Sequence, residues 1–85
     1  NTSGDYNSAF GASAMLDNTT GGANAAFGYL SLTHNLTGSG NSSMGYWSLR
    51  ANTTGSDNVG IGKFALTNNT IGSNNTAVGA FSLSS

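Results

Sequence analysis

The chain has 85 residues, more than half of them Gly, Ser, Thr or Asn, and a formal net charge of -1. Its only cations are Arg50 and Lys63, which excludes the clustered positive charge that nucleic-acid binding needs. No apolar run approaches the ~18 residues of a membrane span, so we expect no membrane insertion. The absence of cysteine excludes a disulfide framework and thiolate metal ligands.

The sequence divides without gaps into five lines of 17 residues: 1–17, 18–34, 35–51, 52–68 and 69–85. We count places from 1 to 17 within each line. Asparagine is invariant at the first and seventh places, and glycine at the fourth and eleventh. This self-similarity predicts a single mainly β repeat array, a parallel β-solenoid or β-roll with one coil per line. Because both ends fall on line boundaries, we expect the chain to be a fragment of a longer fibre.

The first eleven places of each line predict a turn, a strand and a bend. Places one to five, such as "NTTGS" from Asn52, have turn chemistry, since asparagine bonds its own backbone and glycine tolerates left-handed geometry. Places seven to eleven, such as "NTAVG" from Asn75, predict a short strand with the ninth side chain opposite the eighth and tenth. The glycine that follows suits a bend or a positive φ.

Only small residues occupy the ninth place: Ala9, Ala26, Ser43, Gly60 and Ala77. We interpret this column as a crowded face that packs against neighbouring chains along a shared axis. A coil this thin buries little apolar surface alone, so the interpretation predicts a homotrimer or similar self-association, with chains intertwined or side by side.

Large apolar residues recur at the tenth, thirteenth and fifteenth places. The tenth holds Phe10, Phe27, Met44, Ile61 and Val78; the thirteenth Ser13, Leu30, Trp47, Phe64 and Phe81; the fifteenth Met15, Leu32, Leu49, Leu66 and Leu83. Stacking would align each set into an apolar rib that the coils bury against each other. Places twelve to sixteen fit a second strand, with thirteen and fifteen inward, or one helical turn; the pattern slightly favours the strand.

The two asparagine columns predict side-chain ladders, because coils about 4.8 Å apart let identical asparagines bond along the stack. Asparagine also begins seven glycosylation sequons, at Asn1, Asn18, Asn35, Asn41, Asn52, Asn68 and Asn74. The repeat template generates these sequons by itself, so the ladder is the favoured interpretation.

The segments "NTTGSDNVGIG" from Asn52 and "IGSNNTAVGAFSL" from Ile71 resemble the repeats of trimeric phage tail fibres and bacterial surface fibres, often found upstream of a self-cleaving chaperone domain. "NTAVGAFSL" is more loosely similar to the heads of trimeric autotransporter adhesins, which are parallel β-rolls packed three around an axis. The resemblance covers all five lines. The adhesin repeat is shorter, and Leu36, Ser43, Gly60 and Ile71 depart from the consensus.

This resemblance implies a structural shaft or spacer of a homotrimeric fibre for surface adhesion or host recognition. It also implies an extracellular location, at a cell surface or in a virion fibre. The partner would be the chain itself, with a cell-surface glycan or protein bound through other parts of the fibre. Without the chaperone segment, no self-processing chemistry is implied for these residues.

The inventory of reactive side chains predicts that the chain is not an enzyme and holds no cofactor or metal. His34 is the only histidine, and Asp5, Asp17 and Asp57 occupy three different places, so stacking aligns no catalytic or ligand set. We expect His34 and Asp17, at the same place in successive lines, to form a surface pair.

Two other binding functions are conceivable from the sequence. Tyr29, Tyr46, Trp47 and Arg50 predict a carbohydrate- or protein-binding module if their side chains are exposed. Ice binding needs a flat threonine array. The second place holds Thr2, Thr19, Leu36, Thr53 and Thr70, but it lies in a glycine turn, which argues against that function.

Overall fold

The computed structural model describes residues 4–83, so the predictions for Asn1 and Thr2 lie outside the described residues. Each line contributes one three-residue strand at places eight to ten. The strands are β1 Ser8–Phe10, β2 Ala25–Phe27, β3 Ser42–Met44, β4 Val59–Ile61 and β5 Thr76–Val78. They form one parallel sheet in the order β1-β2-β3-β4-β5, and no helix occurs between residues 4 and 83.

The register confirms one coil per repeat. Ala26 of β2 pairs with Ala9 on one side and Ser43 on the other, and the other strand pairs keep the same 17-residue offset. The chain is therefore a parallel β-solenoid whose equivalent places lie above one another.

The ninth column faces the interior of its own coil, not a neighbouring chain. Ala26 is fully buried within the single chain and Gly60 is buried, whereas Ala9 of the first coil is exposed; the eighth and tenth side chains lie on the outer face. A Cβ built on Gly60 would lie 3.0 Å from Ser48 Oγ and 3.3 Å from Leu49 Cγ, on the opposite wall of the coil. The predicted axial role of the small column is wrong, because these residues are small to let the two walls meet.

The opposite wall, places twelve to sixteen, is neither a strand nor a helical turn. It is a run of reverse turns closed by i to i+3 hydrogen bonds, such as Ser48 N–H to Gly45 O (3.3 Å) and Arg50 N–H to Trp47 O (3.3 Å). The third residue of each of these two turns has a positive φ, at Trp47 (61°) and Leu49 (50°). Left-handed geometry costs a bulky residue about 1–2 kcal/mol.

Contacts between coils offset that strain. Trp47 N–H donates to Tyr29 O in the coil before, and Leu49 N–H donates to Ala65 O in the coil after, both at 3.0 Å. The fifteenth side chains also enter the core as predicted: Met15, Leu32, Leu49 and Leu66 are buried, whereas Leu83 of the fifth coil is exposed. Serine hydroxyls between the walls have hydrogen-bond partners in the interior; for example, Ser48 Oγ donates to Gly60 O (2.6 Å).

Both predicted asparagine ladders are present and largely buried. At the first place, Asn35 Nδ2 donates to Asn18 Oδ1 (2.7 Å) and to Gly38 O (2.9 Å). At the seventh place, Asn41 N–H donates to Asn24 Oδ1 (2.8 Å), and Asn24 Nδ2 donates to Gly38 O (2.8 Å). The fourth-place carbonyl therefore joins the two ladders.

The sequon asparagines fall into two groups, those buried in the ladders and those exposed on the surface. Four of the sequon asparagines are buried in the ladders: Asn18, Asn35, Asn41 and Asn52. Asn68 and Asn74 are exposed.

The two glycine columns are required for different reasons. A Cβ at Gly38 would collide with Gly55 O and come within 2.5 Å of Asn35 Oδ1, so the fourth place has no room for a side chain. Gly45 has φ +132°, as predicted for a bend, and its Cβ would lie 2.7 Å from the Gly62 carbonyl carbon.

The first prediction concerns the ladder. Asn35→Asp replaces the amide donor with an oxygen that faces Asn18 Oδ1 and Gly38 O in a fully buried site, so we expect a loss of about 3 kcal/mol at pH 7. These neighbours raise the pKa of the new carboxyl in the folded state. The folded state then binds more protons, so the loss grows as pH rises above the unfolded pKa of about 3.9 and shrinks at lower pH.

Urea unfolding at pH 7 and at pH 4 measures this loss. Asn68→Asp is the control, because Asn68 is exposed and the coil before carries Ala51 at the same place. Equal losses in the two variants would mean that the ladder contributes little.

The second prediction tests the interior position of the ninth column. Ala26→Leu overfills the space between the walls and should destabilise folding by about 2 kcal/mol. Ala25→Leu, on the outer side of the same strand, should change stability by less than about 0.5 kcal/mol. Thermal unfolding compares them, and a tolerated Ala26→Leu would contradict the burial of this column.

Candidate functional site

The tenth-place side chains form one continuous rib on the outer surface, which we call the tenth-place rib. Its members pair in register along the sheet: Phe10, Phe27, Met44, Ile61 and Val78. Their exposure ranges from 38% at Phe27 to 73% at Phe10, and the Phe10 and Phe27 ring centroids lie 6.3 Å apart. The column is continuous as predicted, but the prediction that coils bury it was wrong, because the strand alternation turns it outward.

A second apolar rib begins on the other side of the eleventh-place bend, at places twelve and thirteen. We call it the aromatic rib: Tyr29, Leu30, Tyr46, Trp47, Phe64 and Phe81. Ring centroids are 5.4 Å apart for Tyr29 and Tyr46, 5.2 Å for Trp47 and Phe64, and 4.9 Å for Phe64 and Phe81. The 17-residue register places these rings above one another, so they contact along the stack.

Both cations of the chain lie on the aromatic rib. The Arg50 guanidinium carbon is 4.4 Å from the Trp47 ring centroid, and Lys63 Nζ is 5.5 Å from the Phe64 centroid and 5.9 Å from that of Tyr46. Such cation–π contacts stabilise by about 0.5–1 kcal/mol at exposed sites. Among the described residues, Trp47 Nε1 and Arg50 Nε are buried side-chain atoms without a hydrogen-bond partner.

The predicted ligand contacts therefore lie together. Tyr29 and Tyr46 are half-exposed, whereas Trp47 and Arg50 are only partly exposed. Tyr46 contacts Tyr29, Trp47 at an interplanar angle of 4° and the edge of Phe64, and it remains 42% exposed.

The remaining sequence candidates form no larger cluster. His34 Nδ1 lies 3.1 Å from Asp17 Oδ2 on the surface, which confirms the predicted pair. Within the described residues, no three His, Cys, Asp or Glu side chains converge as metal ligands. The same part of the chain has no helix long and apolar enough to cross a membrane.

The hydroxyls of two second-place threonines donate hydrogen bonds to the backbone of the next coil. Thr19 Oγ1 donates to Leu36 O (2.9 Å), and Thr53 Oγ1 donates to Thr70 O (3.3 Å). Their hydroxyls bond between coils.

Sequence reasoning missed one ladder. At the fifth place, Ser39 Oγ accepts from Gly22 N–H, Ser56 Oγ from Ser39 N–H, and Ser73 Oγ from Ser56 N–H, at 2.9–3.0 Å. The recurrence of serine at this place in three successive lines was the available signal.

An open concavity of about 310 Å³ lies on the face of the fifth coil. Its lining includes Asn69, Thr70, Gly72 and Asn75. In the preceding coil the equivalent places contact the fifth coil, so the concavity has the form of a stacking surface.

Comparisons with protein-family models, with curated proteins and with solved structures found no match. Function therefore has to be inferred from the residues and geometry of this chain.

The third prediction tests the aromatic rib. Trp47 is the only tryptophan, and Arg50→Ala removes the guanidinium that covers its ring, so its fluorescence should move to longer wavelength and acrylamide quenching should increase. Lys63→Ala is the control, because that ammonium lies over Phe64 and Tyr46. The same shift in both variants would contradict a specific Arg50 contact.

Proposed function

We propose that this chain is a structural shaft or spacer segment of a homotrimeric fibre, located outside the cell on a cell surface or virion. The observation that carries the proposal is the pair of apolar ribs: the tenth-place rib runs along all five coils and the aromatic rib along coils two to five. Soluble monomers rarely expose large contiguous apolar patches, and those that do use them for association.

The small apolar interior of the chain supports association with partners. Its buried apolar side chains are few: Met15, Ala26, Leu32, Leu49, Ala65, Leu66 and Ala77. The four phenylalanines, Trp47 and the side chains of Met44, Ile61 and Val78 lie on the two outer ribs. Covering the ribs with other copies of the chain would add the apolar burial that the thin interior cannot supply.

The ladders suit a mechanical role. Each added coil repeats the same backbone contacts and the same buried asparagine and glycine bonds, so length can increase without a new core. The shaft would hold a binding part of the fibre, for a surface glycan or protein, away from its anchor.

The fourth prediction is the mass in solution. Sedimentation equilibrium should give about three times the 8.5 kDa chain mass. Phe27→Ser, on the tenth-place rib, should shift the equilibrium towards the monomer at least about tenfold, which corresponds to ~1.4 kcal/mol. Leu36→Ser is the matched control, since Leu36 is 41% exposed, close to the 38% of Phe27, and lies on neither rib.

A monomer at all accessible concentrations would overturn the proposal. If that monomer also bound an immobilised glycan and lost binding on Tyr46→Ala, a carbohydrate-binding module would replace the shaft. Equal effects of Phe27→Ser and Leu36→Ser would mean that the tenth-place rib is not the association surface.

A further inference from the structure

The fifth coil ends the described stack with a face that is built like those at the four junctions inside the chain. At each junction, the eleventh-place N–H of one coil donates to the tenth-place carbonyl of the coil before, as Gly79 N–H does to Ile61 O (2.7 Å). By the same register, Val78 O lies on the open face. A Cβ built on Gly62 would lie 2.6 Å from the Gly79 carbonyl carbon, whereas one built on Gly79 has nothing within 4 Å among residues 4–83. The face therefore has room and bonding groups for one further coil.

The same face leaves one leucine of the interior column uncovered. Leu49 and Leu66, at the fifteenth place of the third and fourth coils, are 0% and 4% exposed because the next coil covers them. Leu83 is 58% exposed and lines the concavity of the fifth coil together with Leu66. A further coil with an apolar fifteenth place would remove Leu83 from water, which favours binding.

The first coil carries the complementary groups on its outer face. Gly11 N–H is equivalent to Gly28 N–H, which donates to the coil before (2.8 Å). Stacked one step beyond a fifth coil, the first coil of a second copy would direct its Gly11 N–H to Val78 O. The apolar Met15 at its fifteenth place would cover Leu83 in the same way as the leucines inside the chain cover one another.

The fifth place adds a polar contact that is particular to the two ends. Ser39 N–H donates to Ser56 Oγ and Ser56 N–H to Ser73 Oγ, at 3.0 and 2.9 Å, so the side-chain oxygen of each coil meets the N–H of the coil before. In the first coil this place holds Asp5, which is exposed. A second copy would bring its Asp5 carboxylate to Ser73 N–H, and a charged acceptor strengthens a hydrogen bond.

We propose that copies of this chain join end to end, with the first coil of one copy stacked on the fifth coil of another in the register of the internal junctions. The inference goes beyond the proposed function, because it uses the ends of the stack and not the ribs, and it does not depend on the trimer. The contact joins two different surfaces by a step along the stack, so it does not close into a ring and extends into a filament.

Like ends cannot continue the same bonds. Two fifth coils that faced each other would be related by a two-fold axis, so β5 would run antiparallel to its counterpart. The order of places around the coil would be reversed, and Val78 O would not meet an eleventh-place N–H. The ladders need equal places above one another, as in the bond from Asn75 N–H to Asn58 Oδ1 (3.0 Å), and a reversed coil does not supply that alignment.

The test uses the absence of cysteine from the chain. Ser8→Cys marks the first coil and Thr76→Cys the fifth, at the exposed eighth place of each strand. In the joined state the two thiols lie on neighbouring strands, about 4.8 Å apart. Within one chain, or between copies that meet side by side at equal levels, they are four coils apart, roughly 19 Å, which a short bismaleimide does not span.

The two variants are mixed at high concentration, because the face of one coil is a small interface and small interfaces bind weakly. We expect at least about tenfold more covalent dimer on a denaturing gel than from a control mixture of Thr76→Cys with Ser42→Cys. Ser42 is exposed at the same place of β3, but in joined copies it lies three coils from Thr76, roughly 14 Å. A chain that carries both Ser8→Cys and Thr76→Cys should give covalent species larger than a trimer.

Equal dimer yields from the two mixtures would overturn end-to-end stacking, and so would a yield from Thr76→Cys alone that matches the first mixture. Products of the double variant that stop at the trimer would overturn it as well, while a trimer mass of the wild-type chain would leave the shaft proposal intact. A monomer mass in sedimentation together with covalent species larger than a trimer would overturn the trimeric shaft and support end-to-end stacking.

Discussion

The hydrogen bond from one coil to the equivalent group of the next is the constraint on which the structure depends. The amides of Asn18, Asn35 and Asn52 are buried, so their donors and acceptors must be satisfied inside the protein. Each is satisfied by the asparagine one repeat away and by the fourth-place carbonyl. The arrangement works only if every coil has the same backbone path, which explains why the invariant places are those of the ladders and bends.

Close stacking of two walls then determines where the apolar side chains go. The inner face of the strand accepts only small residues because the Ser48 and Leu49 side chains of the other wall lie against it. The leucines of the fifteenth place complete the interior and leave no room for rings. The strand and the turn wall therefore carry most of their bulky residues on the outside.

The turn wall shows how the repeat overrides local preference. Trp47, Leu49 and Phe64 have positive φ, which isolated chains disfavour for bulky residues. Their backbone groups nevertheless bond to neighbouring coils, the Trp47 ring meets the Phe64 ring edge to face, and the Phe64 ring stacks on Phe81. Regular stacking thus yields a rod with a repetitive backbone and two outer ribs whose side chains can vary from coil to coil.

The sequence by itself determined the period, the one-coil-per-repeat stack, a short strand within places seven to eleven, the bend at the eleventh-place glycine and the asparagine ladders. These features follow from residues such as Asn35 and Gly45. Their identity is imposed by contacts with the equivalent residue of the neighbouring repeat. The tertiary structure alone decided that Ala26 points inward, that Phe27 points outward and that the wall containing Trp47 is built of turns. Alternation along a strand defines two faces but does not say which one is inside. That depends on the distance between the walls of the coil, and three-dimensional packing sets this distance.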